Sequence, residues 1–274
     1  MALTSQIWEG HDYVPHYWQT WLEDPNGLLA VAEYAGHVVG LGKLSQVGDH
    51  EWWMQGLRVD PEHQGKGIAS HMHHYQLDYW ERNYGGVLRL ATSSARLPVH
   101  HLCERTGFVK VGEYLSYIAP ALESNPGGFT PVKMEEVQAA LDFIRRSEIF
   151  RLSPGLVALD WVWCEPVADH FIAAIQRGEA HWWRAGEKNR GLTIAEIEEE
   201  DGDSKTLYIQ LAGGELYTLP EMMVEFRGLA GSQGFNLVNW LAPNHEGVID
   251  ALTQAGFMRD WEHVLYVYEK RLPA

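Results

Sequence analysis

The sequence is poor in cysteine and has no long apolar run. Of its 274 residues only Cys103 and Cys164 are cysteines, too few and too far apart for a disulfide framework or a zinc cluster. No apolar run approaches the roughly 18 residues of a membrane span, and no secretory apolar segment precedes the first polar residues. We therefore expect a soluble protein of the reducing cytoplasm, without a membrane partner.

Positive charge is also scarce. Lysine and arginine together number 21, against 37 aspartate and glutamate residues, so the formal net charge is −16. This balance argues against a nucleic-acid partner, because neutralising phosphates requires clustered lysine and arginine. The acidic surface has two open interpretations, which are steering of cationic amine substrates and solubility alone.

Apolar and aromatic residues, by contrast, are abundant. They make up 46% and 12% of the chain, with 12 tryptophans, which allows a substantial core and argues against disorder. The length suits two domains of ordinary size.

One short stretch combines the end of a strand, a turn and glycines before a helix. An apolar run ends at Val59, a turn containing Pro61 follows, and Gly65 and Gly67 then open an amphipathic helix. Small residues let the backbone approach a ligand, and the first N–H groups of a helix attract an anion. The pattern predicts a phosphate-binding loop.

The glycine spacing discriminates among phosphate-binding loops. A P-loop needs a glycine four residues before Gly-Lys-Ser/Thr, and a Rossmann fingerprint would place its third glycine at Ser70, so neither fits. Residues 64–69, Gln-Gly-Lys-Gly-Ile-Ala, instead resemble the Gln/Arg-x-x-Gly-x-Gly/Ala pyrophosphate loop of the GNAT superfamily of acetyl-CoA-dependent N-acetyltransferases. A strand before the loop, and a strand, a helix and Gly-Phe after it, strengthen the resemblance.

The first half of the chain follows the element order of a GNAT domain. From apolar periodicity we predict a helix over 3–23 broken at 11–15, strands over 28–34, 37–47 and 51–59, a helix from 68 to about 84, a strand over 87–92, a helix over 98–104 and a strand over 108–118. A GNAT domain normally begins with a strand, so either the sequence starts late or another segment completes the sheet.

The same order repeats after the Asn-Pro-Gly-Gly turn at 125–128. We predict a helix over 135–150, strands over 180–184, 192–198 and 207–212, a helix over 219–230, a strand over 235–241 and a helix over 248–254. The residues after the glycines at 213–214 lack the loop spacing. The resemblance implies an α/β (α+β) chain with two GNAT-like mixed-sheet domains in tandem, a catalytic one over 1–122 and a degenerate one over 130–274. The degenerate domain would be structural or form a wall of the acceptor pocket.

The resemblance also implies an acetyl-CoA site. Backbone groups of the loop would hold the pyrophosphate, and the end of the preceding strand would pair with the pantetheine. The implied loop residues are Gln64, Gly65, Lys66, Gly67, Ile68, Ala69 and Ser70, and the implied strand residues are Leu57, Arg58 and Val59. The alternative is a glycine-rich turn that binds nothing.

The general base has two interpretations. The family often uses a carboxylate on the strand before the loop, and Glu51 is the only carboxylate near that strand. Its alternative place is a solvated turn after Asp49. Gln55 cannot act as a base, but its amide can order a water molecule.

The general acid departs from the family pattern. A tyrosine commonly stands four residues before the glycine of Gly-Phe, but here that position is Cys103. This thiol is either the acid or an inert buried side chain. Tyr114, Tyr117 and solvent are the alternative proton donors.

Histidines cluster at 71–74 and at 100–101. His71 and His74 are three residues apart on a helix, but no third ligand is placed by the sequence, so we expect a helix face and no metal.

The break at 11–15 points to the acceptor. Three segments are similar to segments of the animal histidine N-acetyltransferase-like branch of the family. They are Asp-Tyr-Val-Pro at 12–15, Gln-Gly-Leu-Arg-Val at 55–59 and residues 159–166. This resemblance implies an amino-acid-sized amine acceptor, with Asp12, Tyr13 and Gln55 as contacts. The alternative is packing at a helix break.

The sequence thus predicts a monomeric or homodimeric N-acetyltransferase that transfers acetyl from acetyl-CoA to a primary amine of a small molecule. Two alternatives stay open, a non-catalytic acyl-CoA-binding sensor and an acetyltransferase of protein or peptide amines.

Overall fold

The structure is a computed structural model that describes residues 12–125, 127–159, 161–199 and 205–273. Contacts divide the chain into two units. The first runs to Thr92, resumes over Arg96–Lys110 and takes in the chain from Val267 onward. The second comprises Ser93–Ala95 and Val111–Tyr266.

The first unit contains a mixed sheet. Its elements are α1 (Val14–Glu23), β1 (Leu28–Tyr34), β2 (His37–Gly48), β3 (Glu51–Val59), α2 (Ile68–Asn83), β4 (Gly86–Ser93), α3 (Leu97–Arg105) and β14 (Leu265–Leu272). The strand order is β1-β2-β3-β4-β14. The strands β1, β2 and β3 are antiparallel, whereas β3 and β4 are parallel.

Local chemistry explains the first elements of this unit. Ala35 and Gly36, both at positive φ, form the two-residue turn that joins β1 to β2, a conformation that matches strand twist. The Asp12 carboxylate accepts the Val14 N–H at 3.2 Å and so satisfies one of the first N–H groups of α1, which have no acceptor within the helix. Trp80 and Leu88 are fully buried in the core.

The strands of the second unit also pair in both parallel and antiparallel fashion. Its elements are β5 (Val109–Pro120), β6 (Phe129–Pro131), α4 (Val137–Arg146), α5 (Glu148–Leu152), β7 (Val157–Leu159), β8 (Val162–Cys164), α6 (Ala168–Arg177), β9 (Ala180–Ala185), β10 (Lys188–Glu199), β11 (Lys205–Gly214), α7 (Leu219–Ser232), β12 (Leu237–Pro243), α8 (Glu246–Gln254) and β13 (Met258–Arg259). The strand order is β5-β12-β11-β10-β9-β6, and β13 also pairs with β5. Its core includes side chains of α7 and α8 packed with those of the strands, with Phe226 and Leu252 fully buried.

Most predicted elements are confirmed within one to three residues, and β3 has the predicted bounds. The predicted helix over 135–150 is wrong in one respect, because Ser147 takes an extended conformation and caps a separate helix, α5. The part of the first predicted helix before residue 12 lies outside the described residues.

The last strand was not predicted and changes the account of the domains. Residues from Val267 onward group with the first unit, although the predicted second domain extends to 274. Among the described residues no strand precedes α1, and β14 joins the first sheet on its β4 side. Across the described helices, none combines the length and apolar character that a membrane crossing requires.

Candidate active site

β3 and β4 separate part-way along their lengths. The two described strands pair only from Glu51–Val87 to Trp53–Arg89, although β3 continues to Val59 and β4 to Ser93. Beyond the paired section, the edge of β3 that faces β4 carries N–H and C=O groups that β4 does not pair. The strands therefore form a cleft along which an extended ligand can hydrogen-bond to the backbone.

A bulge at Gly56 lies inside this cleft. Leu41 of β2 opposes Arg58 and Lys43 opposes Gln55, so β3 contains one extra residue between these pairs. Gly56 has φ +65°, and a Cβ there would lie 2.5 Å from the ring of Trp21. Only glycine fits at this point of the strand.

The loop after β3 is held by its own side chains. The Asp60 carboxylate accepts the Glu62 N–H at 2.9 Å, and the Gln64 amide donates to the Val59 carbonyl at 3.1 Å. Lys66 Nζ donates to the Glu62 carbonyl at 3.0 Å. These bonds bring the loop back over the end of β3, at the mouth of the cleft.

Two residues of the loop have left-handed backbone conformations. Gly65 has φ +73°, and Gly67, the N-cap of α2, has φ +81°. Both are exposed, and no atom other than the His71 ring lies within 4 Å of a Cβ built at either position. The first N–H groups of α2 have no acceptor within the helix. A phosphate can therefore approach these N–H groups and the positive end of the helix dipole.

The predicted base, Glu51, lies at the closed end of the cleft. It is 7% exposed, so the alternative of a solvated turn is wrong. Its carboxylate forms an ion pair with Arg89, whose Nε also donates to Glu269 at 2.8 Å. Leu57 is six residues further along the strand, about 20 Å away at full extension. This geometry favours a structural role, and catalysis by Glu51 stays an untested prediction.

The thiol of Cys103 is fully buried in α3. Burial, and secondarily the charge of Glu104, raises its pKa to about 12. Because an ordinary thiol has a pKa of about 8.5, passing this proton to a CoA thiolate would be uphill by roughly 5 kcal/mol. The inert interpretation of this residue is therefore the better supported one.

Asp12 and Tyr13, the residues predicted to contact the acceptor, both interact with Arg58 of β3. Arg58 Nε and Nη2 donate to the two carboxylate oxygens of Asp12, both at 2.9 Å, and its guanidinium lies 5.2 Å from the Tyr13 ring centroid. The Tyr13 hydroxyl accepts the Gly56 N–H at 3.1 Å, and burial raises its pKa. The Gln55 amide donates to Ser45 Oγ at 3.1 Å. The group braces the bulge from the α1 side.

Comparison with known proteins finds relatives of the first part of the chain. Residues 2–108 match the model of the acetyltransferase (GNAT) family. This part of the chain is similar to the GNAT family. A stretch of 71 residues is 37% identical to histidine N-acetyltransferase from Oreochromis niloticus, covering 26% of this chain and 21% of that protein. A stretch of 97 residues is 30% identical to N-acetylaspartate synthetase from Danio rerio, covering 35% and 34%. The chain thus spans about a fifth to a third of these curated relatives.

The fold of the whole chain also has a counterpart. A tandem GNAT protein from the clavulanic acid biosynthesis pathway superposes with a TM-score of 0.58 at 12% identity, over 100% of this chain and 93% of that one. The chain therefore has a tandem GNAT architecture.

The tyrosines proposed as alternative acids belong to the second unit. The Tyr114 hydroxyl donates to the Ser153 carbonyl at 3.1 Å, and its ring centroid lies 5.1 Å from that of Trp163. Tyr117 is buried, which raises its pKa. Neither observation tests a role in the GNAT reaction.

The histidines of α2 take different positions. His73 is buried and bonded to Thr106 Oγ1 at 3.0 Å, and burial followed by the charges of His74 and Lys270 lowers its pKa to about 4. His71 and His74 bond to backbone carbonyls one turn back, at 2.9 and 2.7 Å. Within the described residues, no three side chains of His, Cys, Asp or Glu are grouped to hold a metal ion.

In the second GNAT-like unit, a carboxylate side chain occupies the position that corresponds to the glycine loop of the first unit. Its parallel strands β11 and β12 also separate, after the Ile209–Trp240 pair. Where the first unit has a glycine loop, the Leu216 N–H donates to the Glu148 carboxylate at 2.9 Å. Tyr114, Trp163 and Gln210 line the space between the separated strands, where the cavity measures about 10 Å³, room for about one water molecule.

Sequence reasoning missed two features of the site. The bulge had a visible signal, since an isolated glycine in a strand pattern indicates a bulge or a close approach. The buried Arg89 had none, because its partner Glu269 is 180 positions away in the sequence.

Proposed function

We propose that the chain is an N-acetyltransferase that transfers acetyl from acetyl-CoA to the primary amine of a small molecule of amino-acid size. The supporting observation is the joint position of the β3–β4 cleft and the glycine loop at its mouth. The cleft offers unpaired backbone groups to the pantetheine amides, and the loop offers N–H groups to the diphosphate. The family match of residues 2–108 supports the same reaction.

The proposed class of amine acceptor is argued from the names of curated relatives. The names of two curated relatives specify acetylation of histidine and synthesis of N-acetylaspartate, which are both reactions of an amino-acid amine. We therefore extend the acceptor class, but neither particular acceptor, to this chain.

The chain's residues would act mainly by positioning. Backbone groups of Leu57–Val59 hold the thioester arm in extended form, and the free amine attacks the carbonyl carbon. A backbone N–H group of β3 beyond its paired section would donate to the oxygen that becomes negative. Breaking the C–S bond then releases CoA thiolate, which takes up a proton. The Arg58–Asp12 pair keeps the bulge in place.

A non-catalytic acyl-CoA-binding module is the second candidate. The ion pair of Glu51 with Arg89 and the buried thiol of Cys103 favour it, because both predicted proton-transfer groups are otherwise engaged or inaccessible.

A turnover screen separates the candidates. The purified chain is incubated with acetyl-CoA and single acceptors, namely the free amino acids including histidine and aspartate, polyamines, and lysine- or amine-terminated peptides, and released thiol is measured. We expect thiol release with one or more free amino acids and a matching mass gain of one acetyl group. Calorimetric binding of acetyl-CoA without release for any acceptor would support the binding module. Release with peptides alone would support a protein or peptide acetyltransferase.

A further inference from the structure

A histidine ring lies beside the open glycine of the loop. His71, in the first turn of α2, is exposed, and its Cε1 and Nδ1 atoms are both 3.6 Å from a Cβ built at Gly67. Nε2 is bonded to Cε1 and is therefore close to the same point. The ring thus stands beside the helix start at which the diphosphate of acetyl-CoA is proposed to bind.

The hydrogen bond of this ring fixes which nitrogen carries a hydrogen. His71 Nδ1 lies 2.9 Å from the Gly67 carbonyl oxygen, and a carbonyl oxygen can only accept. Nδ1 is therefore the donor, so in the neutral ring Nε2 has a lone pair and no hydrogen. The His71 backbone N–H donates to the same oxygen at 3.0 Å, which keeps the ring against its own turn.

This arrangement makes contact with a phosphate depend on a proton. The oxygens of a diphosphate that links two organic groups accept hydrogen bonds and donate none at neutral pH. A neutral His71 presents a lone pair at Nε2 to such an oxygen, whereas the imidazolium presents an N–H and a positive charge. Protonation therefore converts a repulsive contact into a charge-assisted hydrogen bond, and histidine changes its charge between pH 5 and 8.

The other charged side chains of the loop have partners within the loop. Lys66 Nζ donates to the Glu62 carbonyl at 3.0 Å. His63 Nδ1 lies 3.7 Å from the Asp60 carboxylate, which also accepts the Glu62 N–H at 2.9 Å. The loop thus brings one lysine and one carboxylate-paired histidine to the same mouth.

The neighbouring histidines of α2 are placed differently. His74 makes the same kind of bond one turn further along the helix, with the Ser70 carbonyl at 2.7 Å, and His73 is buried. His71 is the titratable side chain of α2 whose ring reaches Gly67.

We propose that the imidazolium of His71 binds the diphosphate of acetyl-CoA through Nε2, and that acetyl-CoA binding is therefore coupled to uptake of a proton from solvent. This inference rests on the proposed function. The complex binds more protons than the free protein, so affinity falls as pH rises. Occupancy of the site by acetyl-CoA then responds to pH in the physiological range.

The test measures binding by the full chain. Isothermal calorimetry near pH 7 in PIPES and in triethanolamine, two buffers of different ionisation enthalpy, gives the number of protons taken up. The same titrations with 3′-dephospho-acetyl-CoA isolate the diphosphate, because a phosphate monoester itself titrates near pH 6. His71→Asn keeps an amide donor for the Gly67 carbonyl but cannot titrate. His74→Asn is the matched control, since it makes the same change one turn along the helix.

We expect the wild type to take up about half a proton for each molecule of either ligand that binds near pH 7. Its affinity for 3′-dephospho-acetyl-CoA should fall about fivefold to tenfold from pH 6 to pH 8, as the charge-assisted bond is lost. His71→Asn should take up no proton and bind throughout about as the wild type does at pH 8. His74→Asn should behave like the wild type.

Three results would overturn the proposal. They are acetyl-CoA binding by the wild type without proton uptake, uptake that persists in His71→Asn, and uptake with acetyl-CoA that disappears with the 3′-dephospho ligand. In each case the proposed function stands, because acetyl-CoA still binds. A wild type that binds neither ligand removes both the proposed function and this inference.

Discussion

At the scale of single residues, backbone conformation decides whether the loop can hold an anion. Gly67 combines a left-handed conformation with an open approach, since the His71 ring, at 3.6 Å, is the only neighbour of a Cβ built there. A side chain would leave the fold nearly intact but cover the N–H groups of the first turn. Folding and binding are therefore separable at this position.

Gly67→Val tests this separation. We expect acetyl-CoA affinity to fall about 100-fold or more, because the side chain blocks backbone approach, while the left-handed strain costs about 1–2 kcal/mol of stability. Isothermal calorimetry measures the affinity. Gly36→Val is the matched control, since Gly36 has the same φ of +81° with no atom within 4 Å of its Cβ, and it should bind acetyl-CoA normally. Equal affinities in the two variants would contradict the assignment of the loop.

A buried histidine makes stability depend on pH. Burial lowers the pKa of His73 in the folded protein to about 4, from 6.5. Between these values the unfolded chain binds more protons than the folded one, so stability is lost as pH falls through this window and is complete above it. This direction of the pH dependence of stability is the one expected for a base that is buried in its neutral form.

The His73→Gln variant tests this linkage, because glutamine keeps a hydrogen bond to Thr106 without titrating. On lowering the pH from about 7 to about 5, we expect the variant to lose about 2 kcal/mol less free energy of unfolding than the wild type. Urea unfolding at the two pH values measures the difference. Identical losses in both proteins would show that His73 does not titrate in this window.

At the scale of elements, a buried arginine ties three strands together at the closed end of the cleft. Arg89 of β4 is 1% exposed and contacts Glu51 of β3 and Glu269 of β14. The buried guanidinium stabilises both carboxylates, and Glu269 also pairs with Arg271, whose side chain is 61% exposed.

Arg89→Met should therefore destabilise the first unit by about 3–5 kcal/mol, since it leaves two carboxylates without their buried cation. Thermal and urea unfolding measure this loss. The control is Arg82→Met, because Arg82 is 78% exposed and pairs with Asp78 at 3.6 Å, and its loss should cost less than about 1 kcal/mol. Similar costs for the two variants would show that the ion pairs of Arg89 contribute little.

At the scale of the whole molecule, the first unit is not a continuous segment. Its sheet includes β14, which the chain supplies from the C-terminal end. A piece of chain that stops at the predicted domain boundary lacks that strand and Glu269, the partner of Arg89.

A fragment of residues 1–122 should consequently fail to fold as a stable domain and should bind no acetyl-CoA. Circular dichroism, proton NMR dispersion and calorimetry test this, with the full chain as the control. A cooperatively folding fragment with wild-type acetyl-CoA affinity would contradict the prediction.

The sequence by itself determined the features that depend on neighbouring residues. The apolar run over 51–59 predicted β3 with its observed bounds, and glycine spacing located the turn from Val59 to the start of α2. Both follow from local conformational preferences, which act over a few residues.

Tertiary structure decided what depends on distant partners. Whether Glu51 is solvated or ion-paired, whether Cys103 can ionise, and where β14 lies are set by residues far away in the sequence. Arg89 and Glu269 are an example, because they are 180 positions apart and no local sequence pattern indicates their contact. Burial and pairing are properties of the assembled core, so the chemistry of the candidate site could be argued only once the strands were in place.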